Sequence, residues 1–150
     1  MIGHELIIWN DKLVTGVAEI DEQHRILINS INEANTRLAN NTSAEILDQI
    51  TRDLLSYALY HFETEEELMQ EFNYAEAKAE DSDTHLQQHR AFSSTVVSVR
   101  ENIKAGNLIS REDLLSFLNG WLINHILNTD KRLAAFILFK RGAAKGNANF

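Results

Sequence analysis

The chain contains no proline and only six glycines among its 150 residues. Proline interrupts helices and glycine weakens them, whereas both are common in tight turns. The composition therefore favours long helices and disfavours a turn-rich β fold. Because 44% of the residues are apolar and 24% are charged, the chain can also bury a core as a single folded domain.

Apolar residues recur at helical spacing in four long segments. The connection before the third segment is acidic and weakly periodic, and the end of the chain is rich in glycine, alanine, asparagine and lysine. We predict helices over about 21–39, 44–72, 83–104 and 111–141. The remaining segments are predicted to be an extended arm over 1–19, a loop with room for a short helical turn over 73–82, and a flexible tail over 142–150.

Individual residues mark the ends of these helices. Thr42, three residues before Glu45, has the spacing of a capping box at the start of the second helix. Gly106 suits a C-terminal cap and Ser110 an N-terminal cap. Because most connections are short, consecutive helices are expected to be antiparallel neighbours. The sequence thus predicts an all-α fold, an up-down-up-down antiparallel four-helix bundle with an N-terminal extended arm, in one domain over 1–141.

The formal net charge of the chain is −8 at neutral pH. Nucleic acids and anionic membranes are bound through basic patches, so this charge argues against either as a partner. No apolar run approaches the ~20 residues that a membrane-spanning helix needs. The first ten residues lack the basic start and the long apolar run of a signal peptide, which predicts a cytoplasmic protein.

Cysteine is absent, so any metal site has to use histidine and carboxylate ligands. Such ligands suit iron, manganese, zinc or copper. Pairs of these residues occur at helical spacing. His61 and Glu65 are four residues apart, as are His85 and His89, so each pair lies on one face of its predicted helix.

The other candidate ligands are His24 in the first predicted helix and His125 with Asp130 in the fourth. In an antiparallel helix pair, residues at equal distances from the turn lie at the same height. The midpoints between candidates of consecutive helices fall in all three predicted turns. Five of the six histidines are therefore expected in one layer of the bundle, and only His4 lies outside it.

Burying five imidazoles and two carboxylates without partners would cost several kcal/mol at least, on the order of the penalty for any unpaired polar group. Metal coordination removes most of that cost, and a hydrogen-bonded histidine layer without metal is the alternative. Seven such ligands are too many for one metal but fit two, with Glu65 and Asp130 as bridges. The spacing of His125 and Asp130 is the least regular feature, because residues five apart differ by about 140° around an α-helix.

In chain order, these motifs resemble the hemerythrin family in its bacterial single-domain form. The resemblance covers nearly the whole chain, and all seven expected ligands are present. The sequence departs from the family pattern between Glu65 and His85, where the connection is several residues longer. The resemblance rests on Gly16-Val17 followed by 20–24, on 61–66, on 85–89, and on 121–125 with Asp130.

The resemblance implies a non-haem di-iron centre, with two iron ions per chain and an oxo or hydroxo bridge, inside a left-handed four-helix bundle. One iron takes three imidazoles. The other takes two and keeps an open position at which O₂ binds. The implied ligands are His85, His89 and His125 for the first iron, His24 and His61 for the second, and Glu65 and Asp130 as bridges.

The family also packs apolar residues around the open position. They exclude water and protons, which would leave the irons oxidised. Plain core packing is the simpler interpretation of the same residues, and both interpretations can hold at once. The matching positions are Phe62, Trp121, Leu122 and Ile126.

Three functions are compatible with these features. The ligand set favours reversible O₂ binding, for carriage, storage or delivery, because the Glu-x-x-His motif of carboxylate-rich di-iron oxygenases does not occur. One alternative is an O₂, redox or iron sensor that acts through a separate, unidentified protein partner. Another is a di-iron peroxidase or nitric-oxide-handling protein. No separate acid–base pair is evident, since Glu63, Glu66 and Glu67 are interpreted as a solvated face, so we expect a binding protein and not an enzyme.

Overall fold

The computed structural model describes residues 6–40 and 42–148, and these residues contain no β-strand. A short 3₁₀ turn, Asp11–Leu13, precedes the first helix. The α-helices are joined by short connections, except where a π-helical turn continues directly between two of them. The helices are α1 (Ala18–Asn40), α2 (Ala44–Glu71), α3 (Tyr74–Ala77), α4 (Ala79–Lys104), α5 (Arg111–Asn124) and α6 (Lys131–Ala148), and the π-helical turn is His125–Asp130.

The long helices form a four-helix bundle. α5, the π-helical turn and α6 follow one another without a break and together make the fourth helix. α1 packs against α2 and α5, α2 packs against α4, and α4 contacts the π-helical turn. This arrangement confirms the predicted all-α bundle, in which helices adjacent in sequence are adjacent in space. None of the described helices is long and apolar enough to cross a membrane.

The N-terminal arm is held along α1 by one asparagine. The backbone N–H of Ile7 donates to Asn32 Oδ1 at 2.9 Å, and Asn32 Nδ2 donates to the carbonyl oxygen of Ile7 at 2.8 Å. The guanidinium of Arg25 lies over the ring of Trp9, 4.7 Å from its centroid. These contacts explain why an irregular segment stays on the bundle surface. Residues 1–5 of the predicted arm lie outside the described residues.

A tight turn joins the arm to α1. The carboxylate of Asp21 accepts hydrogen bonds from the backbone N–H of Thr15 at 2.8 Å and of Gly16 at 3.1 Å. Gly16 has a φ of +93°, a left-handed conformation that favours glycine. Asp21 therefore fixes the entry to the bundle, and the helix behind it begins at Ala18, earlier than predicted.

The prediction of a loop with room for a short helical turn over residues 73–82 was correct for the turn but wrong for the rest of the segment. α3 occupies the first part of that segment, and α4 begins at Ala79 instead of Asp83. Tyr74 anchors α3, being 1% exposed with its ring 5.1 Å from that of Phe136. Because a single buried residue holds this four-residue helix, its sequence contains no repeating apolar pattern from which the helix could be predicted.

Serine side chains cap the starts of two helices. Ser43, not Thr42, caps α2, since its hydroxyl accepts a hydrogen bond from Ile46 N at 3.3 Å. The predicted cap at Ser110 is confirmed, because its hydroxyl accepts from Asp113 N at 3.1 Å. The capping residue of α2 was thus misplaced by one position, because two hydroxyl residues are adjacent there.

Of the two predicted C-terminal helix ends, the structure matches the one after α4 and differs at the one in α6. Gly106 follows Ala105, the C-cap residue of α4, and has a φ of +90°, as a C-terminal glycine cap requires. α6 continues to Ala148, past the predicted helix end and into the predicted tail of 142–150. Residues 149–150 lie outside the described residues, and the flexibility of the tail stays a prediction.

Buried apolar side chains form two clusters, one on each side of a polar layer. Along α1, His24 lies between Ile20 of the smaller cluster and Leu27 of the larger. Along the fourth helix, Asp130 lies between Ile126 of the larger cluster and Leu133 of the smaller. The bundle therefore isolates this layer from water at both ends.

Candidate metal centre

Seven buried polar side chains from all four helices of the bundle meet in this layer, and each is at most 3% exposed. Their candidate ligand atoms form two groups, and within each group these atoms lie within 4.8 Å of one another. The three-histidine group is Glu65, His85, His89 and His125, and the two-histidine group is His24, His61, Glu65 and Asp130. These are the residues that the sequence indicated. Either group could hold a metal ion, and the role of each residue as a ligand stays a prediction.

Glu65 belongs to both groups. Its Oε1 atom lies 3.0 Å from Nε2 of His89 and 3.3 Å from Nε2 of His85. The same oxygen lies 3.4 Å from Nε2 of His61 in the two-histidine group. A carboxylate that contacts imidazoles on both sides is in the position that a bridging ligand needs.

Asp130 reaches the layer because of the π-helical turn. Hydrogen bonding from i to i+5 adds a residue to the turn, so that residues five apart come to nearly the same face of the helix. Asp130 Oδ1 lies 3.0 Å from Nε2 of His125, and Asp130 Oδ2 lies 2.7 Å from Nε2 of His24. The irregular spacing of His125 and Asp130 is therefore explained by a π-helical turn, a feature often found at functional sites.

Hydrogen bonding satisfies only part of the layer. Nε2 of His24 and Oδ2 of Asp130 are close, yet neither has a partner of hydrogen-bond geometry among the described residues. The same holds for Nε2 of His61 and of His125 and for Glu65 Oε2. Leaving such atoms unpaired costs about 1–3 kcal/mol each. A bound cation would satisfy nitrogen and oxygen atoms that converge in this way without pairing, and imidazole with carboxylate suits iron and its neighbours.

Three imidazoles are held from outside the layer by a second side chain. A hydrogen bond donated by Nδ1 leaves Nε2 as the nitrogen that faces the layer and can bind a metal. The contacts from Nδ1 are His61 to Gln23 Oε1 at 2.7 Å, His125 to Gln88 Oε1 at 2.6 Å and His89 to Glu66 Oε2 at 2.9 Å.

Sequence reasoning missed all three of these outer partners. The interpretation of Glu66 as part of a solvated face was wrong, because its carboxylate is 41% exposed but bonded to His89. Gln23 and Gln88 directly precede histidines in the sequence, which was the only available signal. Each partner contacts an imidazole of another helix, so spacing along one helix could not reveal the pair.

Burial and charge shift the pKa values of the layer in opposite directions. Burial lowers the pKa of His61 to about 4, and Glu65 offsets this only in part. Burial acts in the same direction on His125, but Asp130 and Glu65 together outweigh it and raise that pKa to about 10. Burial raises the pKa of Glu65, yet the surrounding imidazoles hold it well below its usual range. A cation entering the layer therefore meets ionised carboxylates and displaces a proton from His125.

Two aromatic rings lie against imidazoles of the three-histidine group. The ring of Phe62 stacks on His89 with centroids 4.0 Å apart, and that of Trp121 stacks on His125 at 4.4 Å. Both aromatic residues were predicted to border an O₂ site, and that role stays a prediction. The other two predicted pocket residues, buried in the larger apolar cluster, are Leu122 and Ile126.

The fold and this layer define a four-helix-bundle protein with a buried histidine–carboxylate cluster that could hold metal. A family model described as the hemerythrin HHE cation binding domain matches residues 15–137, most of the chain. The chain belongs to the hemerythrin family.

Individual relatives agree with this assignment. The chain is 34% identical over 132 residues to a bacteriohemerythrin of Stenotrophomonas maltophilia (strain R551-3), covering 86% of this chain and 80% of that protein. It is 33% identical over 124 residues to a bacteriohemerythrin of Pseudomonas aeruginosa (strain LESB58), covering 83% and 76%. A crystal structure of wild-type hemerythrin is similar with a TM-score of 0.78 at 26% identity, covering 89% of this chain and 98% of that chain.

Proposed function

We propose that this protein binds O₂ reversibly at a non-haem di-iron centre, for carriage, storage or delivery. The three-histidine group would hold one iron and the two-histidine group the other, with Glu65 and Asp130 shared between them. The irons, when bound, supply the electrons and the coordination position that O₂ requires. The protein side chains hold the irons and control access to them.

The observation that carries this proposal is the inequality of the two groups. Both include Glu65, but one has three imidazoles and the other only two. If both carboxylates are shared, since Asp130 Oδ1 also lies 3.0 Å from Nε2 of His125, the two-histidine side has one donor fewer than the three-histidine side. A missing donor leaves room for an external ligand, so the two-histidine group, with His24 and His61, is the side to which we assign O₂. Burial of the layer between two apolar clusters supports the assignment, because it limits the access of water to the bound gas.

The same donor set favours binding over turnover. Once the inner atoms of the five imidazoles and two carboxylates bind iron, the layer keeps few groups that can deliver a proton, and the outer partners of His61 and His125 are neutral amides. A site that withholds protons is suited to releasing O₂ unchanged. We therefore propose a binding protein and not an enzyme.

The test is to load the purified protein with iron, reduce it without oxygen, and then cycle it between O₂ and vacuum. We expect a charge-transfer absorption band that appears with O₂, disappears on its removal, and returns over repeated cycles. Bleaching that is irreversible on the first cycle, or a spectrum indifferent to O₂, would contradict the proposal.

A further inference from the structure

A groove between α2 and α4 leads from the surface to the three-histidine group. Its volume is about 710 Å³, and its wall includes Phe62 and His89 from the site together with Glu63, Glu66 and Arg90. Glu66 is partly exposed in this groove, and its Oε2 atom accepts the hydrogen bond from Nδ1 of His89 at 2.9 Å. One carboxylate therefore contacts both solvent and a candidate ligand.

The outer partners of the three imidazoles differ in charge. Those of His61 and His125 are the amide oxygens of Gln23 and Gln88. Both amides are themselves held, since Gln23 Nε2 donates to Thr64 Oγ1 at 3.1 Å and Gln88 Oε1 also accepts from Thr129 Oγ1 at 2.7 Å. Glu66 thus provides the only carboxylate among these three outer contacts.

A carboxylate acceptor changes what an imidazole can do. A hydrogen bond to an ionised acceptor is roughly twice as strong as one between neutral groups. It draws the Nδ1 proton outward and makes Nε2 a stronger electron donor, which favours the higher oxidation state of a metal bound there. An amide fixes the ring in the same orientation without this electronic effect.

We propose that Glu66 is a positioning residue that sets the redox balance of the three-histidine side through His89. This inference rests on the proposed di-iron function. It assigns the two sides of the layer different electronic roles, because the outer partner of His61 on the O₂ side is neutral. Since Glu66 faces the groove, a molecule that binds that carboxylate from solvent would alter the redox balance of the buried site.

Three variants of the iron-loaded protein test the inference through the midpoint potential of the iron centre, and a fourth tests it through metal affinity. Glu66→Gln keeps the size and the acceptor atom but removes the charge, and should raise the potential and slow autoxidation several-fold. Gln88→Glu places a carboxylate next to Nδ1 of His125, in the same group, and should lower the potential. Glu63→Gln, in the same groove, is the matched control and should leave it unchanged. Glu66→Ala should weaken metal binding by about 10–100-fold. Glu66→Gln should keep the metal affinity, because it retains the acceptor for His89.

Equal shifts in Glu66→Gln and Glu63→Gln, or no shift in Glu66→Gln, would overturn the inference. A second measurement uses zinc as the probe, so that it needs neither iron nor O₂. In the zinc-loaded protein the Nδ1 proton of His89 should resonate downfield of that of His125, and Glu66→Gln should move it upfield. If the protein bound no iron, the proposed function would fail while this resonance still tested Glu66, and an unmoved resonance would reject the role of Glu66 alone.

Discussion

In His61, His89 and His125, Nδ1 faces outward and Nε2 faces the layer. The partner of Nδ1 fixes the orientation of the ring and the electron density at Nε2. The sequence was sufficient to predict which side chains meet in the layer, because helical spacing places His61 near Glu65 and His85 near His89 on one face of each helix. It was insufficient for the outer partners. The contact of Glu66 with His89 joins α2 to α4, and only the packing of the two helices brings the pair together.

The ligand assignment makes a direct prediction for His61. His61→Ala removes one of the two imidazoles of the two-histidine group, so O₂ binding should be abolished even where iron is retained on the three-histidine side. His4 belongs to none of the ligand motifs, and His4→Ala is the control. The measurement is the O₂-dependent absorption band, and its survival in His61→Ala would show that the ligand assignment is wrong.

The raised pKa of His125 predicts a pH dependence for protein prepared without metal. Burial disfavours the charged imidazole, but Asp130 and Glu65 raise its pKa from 6.5 to about 10 in the folded chain. The resulting stabilisation is fully present below pH 6.5, the unfolded value, and is lost as the pH rises towards 10. Denaturant midpoints should therefore fall over this range, and His125→Gln should remove that slope. Equal slopes in the two proteins would contradict the assignment.

At the scale of helices, the fourth helix gave the least predictable result. Apolar spacing correctly indicated a helix through His125 and beyond, but it carried no sign of the π-helical turn. A helical turn with one added residue is stabilised by the tertiary contacts of its side chains. Here these are the contacts of Asp130 with His125 and His24. The start of α4 was misplaced for a related reason, because a single buried residue, Tyr74, holds the short α3 before it.

Substitution by alanine should have opposite effects at two glycines, one in the turn before α1 and one within α5. Gly16 has a φ of +93°, and a Cβ there would lie 2.9 Å from Cδ1 of Leu138, so Gly16→Ala should destabilise the fold by about 1–3 kcal/mol. Gly120 lies within α5, and a Cβ there meets nothing within 4 Å. Gly120→Ala should therefore stabilise it by up to about 1 kcal/mol, since alanine favours helix. Denaturant unfolding measures both, and a loss of the same size at each position would refute this account of the turn.

For the whole molecule, the polar layer lies between two clusters of buried apolar residues, and none of its seven side chains belongs to either cluster. Alternation of apolar and polar positions along each helix, with short connections, was enough to predict the polar layer and the antiparallel bundle, but the division of the core into two clusters was not predicted. The length of α6 was not predicted either, because its last residues have no apolar period. The layer joins the two clusters, so that whatever fills it stabilises both.

Removal of the metal should therefore destabilise the entire bundle. A ligand present at 1,000 times its dissociation constant stabilises the folded state by about 4 kcal/mol. In a domain of this size that corresponds to a fall in Tm of roughly 10 °C after chelation. Calorimetry before and after chelation, with metal added back as the control, measures it, and an unchanged Tm would mean that the layer is stable without a cation.

The central claim is that the two groups hold a pair of irons that together bind one O₂. The most direct test counts iron and bound O₂ on the same reduced, anaerobically prepared sample. The account predicts about two irons and one O₂ per chain, with the O₂ recovered under vacuum. One iron per chain, or one O₂ for every iron, would contradict it.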